Sequence, residues 1–263
     1  MSHTASTNAD LLAATEQQIE EAMKDYLPRS LKQKRAGKLI VLEGPDGSGR
    51  SSQMALLSDW LEWQGFAVQT MGLKRSKLLA ADLEALQHNT DLQLKTRILL
   101  YATDFYDQIE NQVLPALRAG FIVLADRYTL TPICRASVRS IEREYLENVY
   151  KYAPEPDLKL RMTVSCEEAF HRLFNQHNAM NHWEFGGDLN LSSNVYESFL
   201  KYQGSLHQLM KEVGDVQGYT TIDGDRKVSD VNQDLREAIA NILDIDNLNY
   251  TPTSGKRMKI WER

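Results

Sequence analysis

The sequence is poor in the features that mark several large protein classes. Its 263 residues hold two cysteines, Cys134 and Cys166, far apart and outside any Cys-x-x-Cys pair. That excludes a disulfide framework and a zinc ribbon, and it suits reduced thiols in the cytoplasm. No apolar run nears the ~18 residues that a membrane helix needs. The opening "MSHTASTNAD" has no apolar core of the secretory kind. Positive charge is in deficit as well: 30 Lys and Arg against 36 Asp and Glu give a net charge of −6. A general nucleic-acid or membrane-surface binder needs a basic footprint. The expected partners are therefore small molecules, with no nucleic acid and no membrane. Internal repeats and low-complexity stretches are lacking too. What remains, 42% hydrophobic and 25% charged, is ordinary globular composition, enough for one α/β domain with tails.

Three regions are expected. Residues 1–37 read as a helical extension, with Leu11, Leu12, Ile19, Met23 and Leu27 in a partial apolar stripe, followed by the basic connector "PRSLKQKRAGK". Residues 38–243 alternate strand and helix. The strands are "KLIVLE", "FAVQTM", "FIVLAD", "LKLRMTV" and "YTTID", with periodic helical segments between them. Apolar strands alternating with helices predict an α/β fold: a five-stranded parallel sheet with helices on both faces. Residues 244–263 have no clear period and read as a surface extension.

The segment "VLEGPDGSGRSS", residues 41–52, carries the chemistry. It follows an apolar strand, precedes a helix, and nearly spells the phosphate-cradling pattern G-x-x-x-x-G-K-[ST]. Gly44 and Gly49 have the right spacing. The glycines, Gly47 included, let the backbone curl so that its N–H groups, including that of Ser48, point inward. The next helix adds its positive end. Ser51 offers a hydroxyl to Mg²⁺, and Ser52 can contact an outer phosphate oxygen. The usual lysine is Arg50. The charge is kept, but a wide planar fork replaces a compact ammonium.

Together with "RILLYATDFYDQIENQVLPALRAGFIVLADRY" and "PDLKLRMTVSCEEAFHRL", this loop resembles the thymidylate kinase family of P-loop nucleoside monophosphate kinases, from about Lys38 to Leu243. The resemblance implies a P-loop NTPase three-layer sandwich. It implies transfer of the ATP γ-phosphoryl group, with Mg²⁺, to a nucleoside monophosphate, dTMP to dTDP first of all. By resemblance, Asp46 approaches the acceptor's sugar hydroxyl and helps to place its phosphate. Asp126 holds Mg²⁺ with Ser51, unless it is a helix cap. Arg127 grips the acceptor phosphate, unless it is a surface ion pair. Lys74 or Arg75 assists, with Arg75 favoured. Tyr101 stacks on the base, or is core. Arg172 reaches the ATP phosphates from the start of a lid at about 175–190. The family commonly dimerises, so a homodimer is expected.

Three departures stand out. Where the family has a base-contacting arginine, four residues after the stacking aromatic, this chain has Phe105. The wall after Asp126-Arg127-Tyr128 reads "TLTPICRAS", where Arg135 offers a new contact to base or phosphate. The lid segment "HRLFNQHNAMNHWEFGGDLN" has Arg172 as its one arginine. Together with Arg50, these keep two alternatives open. One is a catalytically weak or inactive nucleotide-binding protein with a regulatory role. The other is a phosphotransferase for a different phosphorylated acceptor.

Overall fold

The structure is a computed structural model. It describes residues 36–79, 83, 92–177, 180, 182–253 and 255–262. The helical extension read over the first residues lies outside this description up to Arg35, as do lid residues 178, 179 and 181. The described fold begins slightly before Lys38, because the N–H of Gly37 donates to the Leu117 carbonyl at 2.8 Å.

Five parallel strands run β1 (Lys38–Glu43), β2 (Val68–Gly72), β3 (Ile122–Asp126), β4 (Leu158–Thr163) and β5 (Thr220–Asp223), in the sheet order β2-β3-β1-β4-β5. β1 and β3 are central and buried on both faces, which is why they read as unbroken apolar runs. On one face Ile40 and Leu42 meet Met54, Leu57 and Trp60 of α1 (Arg50–Trp63), and Leu235 and Ile239 of α8 (Val228–Leu243). Trp60 has no exposed surface, and truncating it to alanine is expected to cost about 3–5 kcal/mol. Further helices are α2 (Leu94–Gln108), α3 (Leu114–Arg118), α4 (Leu130–Ser137), α5 (Arg143–Val149), α6 (Cys166–His177) and α7 (Val195–Val216). α4 packs against both α2 and α7. None of the helices described is long and apolar enough to cross a membrane.

Three local features differ from the sequence reading. α2 and α3 are joined by a π-helical turn, Ile109–Val113, just before Pro115. A proline cannot donate and crowds the preceding turn, and the wider turn accommodates it. The segment "TLTPICRAS" forms α4, with Pro132 in the first turn, where a missing N–H leaves no bond unmade. The last residues are not a patternless extension. Ile245, Leu248 and Tyr250 pack on the core, and α9 (Gly255–Trp261) lies against α1 and α8.

The register sets the site. Leu42, Asp126 and Gly72 are level across β1, β3 and β2, so the loops that follow leave the sheet at one edge.

Candidate active site

The phosphate loop is held from beneath and from the side. Gly44 has φ +149°, and a Cβ there would lie 2.6 Å from the Met162 carbonyl oxygen. Gly47 has φ +77°, and a Cβ would lie 2.8 Å from Cα of Ala169 on α6. Side chains at either position would push the loop off its supports. Gly49 closes the loop in a left-handed conformation, and the first turn of α1 has no side-chain cap and no acidic residue.

Arg50 turns inward and is 7% exposed. Its Nη1 donates to the carbonyls of Gly44 and Pro45 and to Ser48 Oγ, and its Nε donates to Asp126 Oδ1 at 3.0 Å. One guanidinium thus ties both ends of the loop to the end of β3. Ser51 Oγ lies 3.3 Å from the other Asp126 oxygen. Arg75 approaches the same carboxylate at 3.6 Å and remains half exposed. The backbone that carries Arg75 is held by α2: Asp104 accepts from the N–H groups of Lys74 and Ser76, and Gln108 bonds both polar groups of Gly72.

Arg127 has φ +74°, a conformation costing on the order of 1–2 kcal/mol for a residue with a Cβ. It is held there by several bonds. Its Nη1 donates to the Gly44 carbonyl and to Thr131 Oγ1, and its Nη2 donates to Asp46 Oδ1. The second Asp46 oxygen accepts from Arg135 on α4. Glu43, fully buried at the end of β1, accepts from the N–H groups of Tyr128 and Thr131 and from the Thr131 hydroxyl. It thereby fixes the start of α4.

Charge follows this geometry. Burial acts to raise the Asp46 carboxyl, but Arg135, Arg127 and Arg50 outweigh it and hold it well below the usual range. Asp126 is lowered in the same way, chiefly by Arg50 and then Arg127, against its own burial. Burial and the nearby Arg50 bring Arg127 down to about 9, still cationic at neutral pH. These carboxylates stay ionised among cations, in a site whose remaining charges suit anions.

Two adjoining cavities open at this edge. The charged one is lined by Asp46, Lys74, Arg75, Asp126, Arg127 and Glu184. The largely apolar one is lined by Ile98, Pro132, Ala136, Tyr150 and Tyr202, with Arg97 and Arg139. Leu73, Tyr101, Arg135 and Trp183 line both. The pair has the shape of a compartment for an anionic group joined to one for a flat apolar ring.

Asp46, Arg75, Asp126, Arg127, Arg135 and Tyr101 thus converge at one place. Phe105 does not join them. It is 1% exposed and packs against the rings of Tyr106, Tyr128 and Tyr150, lining neither cavity. An apolar ring at that point of α2 is held by the aromatic cluster beneath the helix. Arg172 lies on the other side of the loop. It is paired with Glu168, and its Nη1 donates to the carbonyls of Gly47 and Gly224.

Four further residues escape sequence reasoning. Arg139 on the loop after α4 makes a two-pronged ion pair with Asp188 and donates to Tyr202 Oη, fastening the segment around Trp183 over the apolar cavity. Arg97 stacks on Trp183, with its guanidinium carbon 3.8 Å from the ring centroid. Arg97 and Arg139 had a weak signal, as arginines within otherwise apolar or helical stretches. Trp183 and Asp188 had none beyond their place in the lid.

The family model described as thymidylate kinase matches residues 42–235. Among curated proteins, the chain is 33% identical over 209 residues to a probable thymidylate kinase 2 of Saccharolobus solfataricus, covering 79% of this chain and 98% of that one. It is 28% identical over 193 residues to a probable thymidylate kinase of Pyrococcus abyssi, covering 71% and 91% respectively. It is 29% identical over 164 residues to a thymidylate kinase of Brachyspira hyodysenteriae, covering 62% and 81%.

Proposed function

The chain belongs to the thymidylate kinase family, and from that membership we propose that it transfers the γ-phosphoryl group of ATP to thymidylate. It is an enzyme of the nucleoside monophosphate kinase class. The observation that carries the acceptor reading is the junction of the two cavities: an arginine-lined compartment meets an apolar one at Tyr101.

In this reading the curled loop and the uncapped start of α1 receive the ATP phosphates. Ser48, Gly49, Ser51 and Ser52 supply backbone N–H or hydroxyl donors, and Arg172 stands at the outer edge. Arg50 holds the loop closed through Nη1 and directs its charge at the transferring group. Arg127 and Arg75 grip the acceptor phosphate. Asp46, fixed by Arg127 and Arg135, orients the acceptor beside them. An acceptor phosphate oxygen then forms the new P–O bond to the γ-phosphorus as the bond to the β-phosphate oxygen breaks, and ADP departs. Such chemistry needs positioning and charge neutralisation more than covalent help.

Ser51 Oγ and Asp126 form a pair of hard oxygen donors 3.3 Å apart. This suits Mg²⁺, which takes few protein ligands beside substrate phosphates and water. When bound, the ion neutralises charge on the phosphoryl oxygens. Among the described residues no group of three His, Cys, Asp or Glu stands ready for another metal. We further propose a cytoplasmic homodimer, paired through the face of α2 on which Leu99 is 50% exposed.

The test is ADP formation from Mg-ATP with each deoxy- and ribonucleoside monophosphate. Turnover dependent on dTMP is expected. ATP binding without turnover of any acceptor overturns the proposal and favours a regulatory nucleotide binder.

A further inference from the structure

Resting on the reading just given, we infer that Glu43 and Thr131 are positioning residues for the acceptor phosphate and act through Arg127. Glu43 is a buried carboxylate that the transfer described above does not use. It has no exposed surface, and its oxygens accept from two backbone N–H groups and one hydroxyl. None of these partners is a cation. A carboxylate is costly to bury in this way unless its charge is answered close by.

The answer comes through Thr131. Arg127 Nη1 donates to Thr131 Oγ1 at 3.0 Å, and the same hydroxyl donates to Glu43 Oε2. A guanidinium has no acceptor and a carboxylate has no donor. The single hydroxyl proton therefore points at Glu43, and an oxygen lone pair faces Arg127. The run from guanidinium to hydroxyl to carboxylate has one polarity, and it links the buried negative charge to the cation of the acceptor side.

The other Glu43 oxygen holds the backbone. Oε1 accepts from the Tyr128 N–H at 2.7 Å and from the Thr131 N–H at 3.1 Å. Tyr128 directly follows Arg127, whose φ is +74°, so this bond pins the far side of the strained residue. The Arg127 N–H donates to the Leu42 carbonyl at 3.1 Å and pins the near side. Glu43 thus holds Arg127 twice, at its backbone through Tyr128 and at its side chain through Thr131. Thr131 and the Gly44 carbonyl both engage Nη1, and Arg127 lines the charged cavity with the rest of its fork. A fork fixed at its backbone and at one nitrogen is preorganised for a phosphate, and less freedom is lost on binding.

The experiment measures kcat and the KM values for dTMP and ATP in the wild-type protein, Thr131→Val, Thr131→Ser and Glu43→Gln, with thermal unfolding alongside. Thr131→Val keeps the shape and removes the hydroxyl. Its KM for dTMP should rise about tenfold, the scale of one charged hydrogen bond, while the KM for ATP moves far less. Thr131→Ser restores the hydroxyl and should recover most of that loss. Glu43→Gln is nearly isosteric, but its amide nitrogen is a donor, so the Thr131 proton loses its acceptor. Its KM for dTMP should rise at least as much as that of Thr131→Val. If Glu43→Gln does not fold, the valine and serine variants carry the test. A purely structural role would lower the unfolding temperature and the active fraction, and hence kcat, and leave both KM values in place. That pattern, or a serine variant no better than the valine one, overturns the inference while leaving thymidylate phosphorylation intact. A wild-type protein without turnover of dTMP removes the functional reading itself, and the inference with it.

Discussion

Arg50 donates through Nε to Asp126 at 3.0 Å, and both side chains are more than nine-tenths covered. The same guanidinium reaches the carbonyls of Gly44 and Pro45, so the phosphate loop and the end of β3 are cross-braced by one planar group. A lysine ammonium at this position can satisfy the carbonyls or the carboxylate, but it lacks the width to span both. Arg50→Lys is therefore expected to lower kcat about 10- to 100-fold, and Arg50→Ala about 10³-fold, by comparison with single-donor losses at other phosphoryl and oxyanion sites. Steady-state ADP release checks both. An Arg50→Lys variant faster than wild type would mean that the arginine is a defect.

Asp46 is shared by Arg127 and Arg135, which otherwise face each other. Asp46→Ala removes the common partner and leaves two cations together in a covered site. A loss of about 2–3 kcal/mol is expected, discounted from a fully buried pair because Arg135 is one-third exposed. Urea unfolding measures it. The double change Asp46→Ala, Arg135→Ala should regain part of the loss, since it removes the repulsion.

Acid should act in two stages. His207 has its Nδ1 3.6 Å from Cys166 Sγ, and its Nε2 is buried without a hydrogen bond among the described residues. Burial, aided by Arg161, lowers its pKa from 6.5 to about 4. Above pH ~6.5 it is neutral in both states. Between about pH 6.5 and 4 the unfolded chain takes up a proton that the folded chain does not, so stability falls by up to about 1.4 kcal/mol per pH unit. Asp46 and Asp126 act lower. Their pKa values are depressed on folding, so their contribution is complete above the unfolded value of about 4 and is lost as pH falls below it. Urea midpoints from pH 7 to 3 trace both stages. His207→Gln should flatten the upper one alone.

The segment around Trp183 depends on Arg139 and Asp188. Asp188→Ala releases a pair in which the arginine is only 7% exposed. The acceptor KM should rise about tenfold, the scale of one charged hydrogen bond, with the KM for ATP unchanged. Limited proteolysis should show faster cutting near Gly186-Gly187 in the variant. Equal cutting rates would mean that the segment is held by other contacts.

The parts of the fold that follow local pattern were readable in advance. β1 and β3 are apolar on every residue but their ends, because helices cover both their faces. α8 spans the whole of "VSDVNQDLREAIANIL", because its apolar positions repeat at helical spacing. α4 was hidden for a physical reason. It is short and contains a proline, and the group that accepts from its Thr131 N–H is Glu43, 88 residues earlier. A similar separation in sequence hid the stack of Arg97 on Trp183, since neither residue has a local motif. The curled loop between β1 and α1 was legible because its glycines and serines lie within one short segment. The acceptor side was legible only through resemblance, and at Phe105 the resemblance pointed to a residue that the aromatic cluster draws away.

The carboxyl-terminal segment gives the molecule a practical asymmetry. Tyr250 and Arg257 both bond Asp59, Tyr250 packs beside Trp63, and Asn247 accepts from Gln64, so this segment grips the outer side of the helix that begins at Arg50. Affinity handles, fluorescent fusions or deletions placed after Leu243 would pull on the helix that carries the phosphate loop. An exposed position away from this segment, such as Val216 at the end of α7, which is 89% exposed, is the gentler place to attach a label.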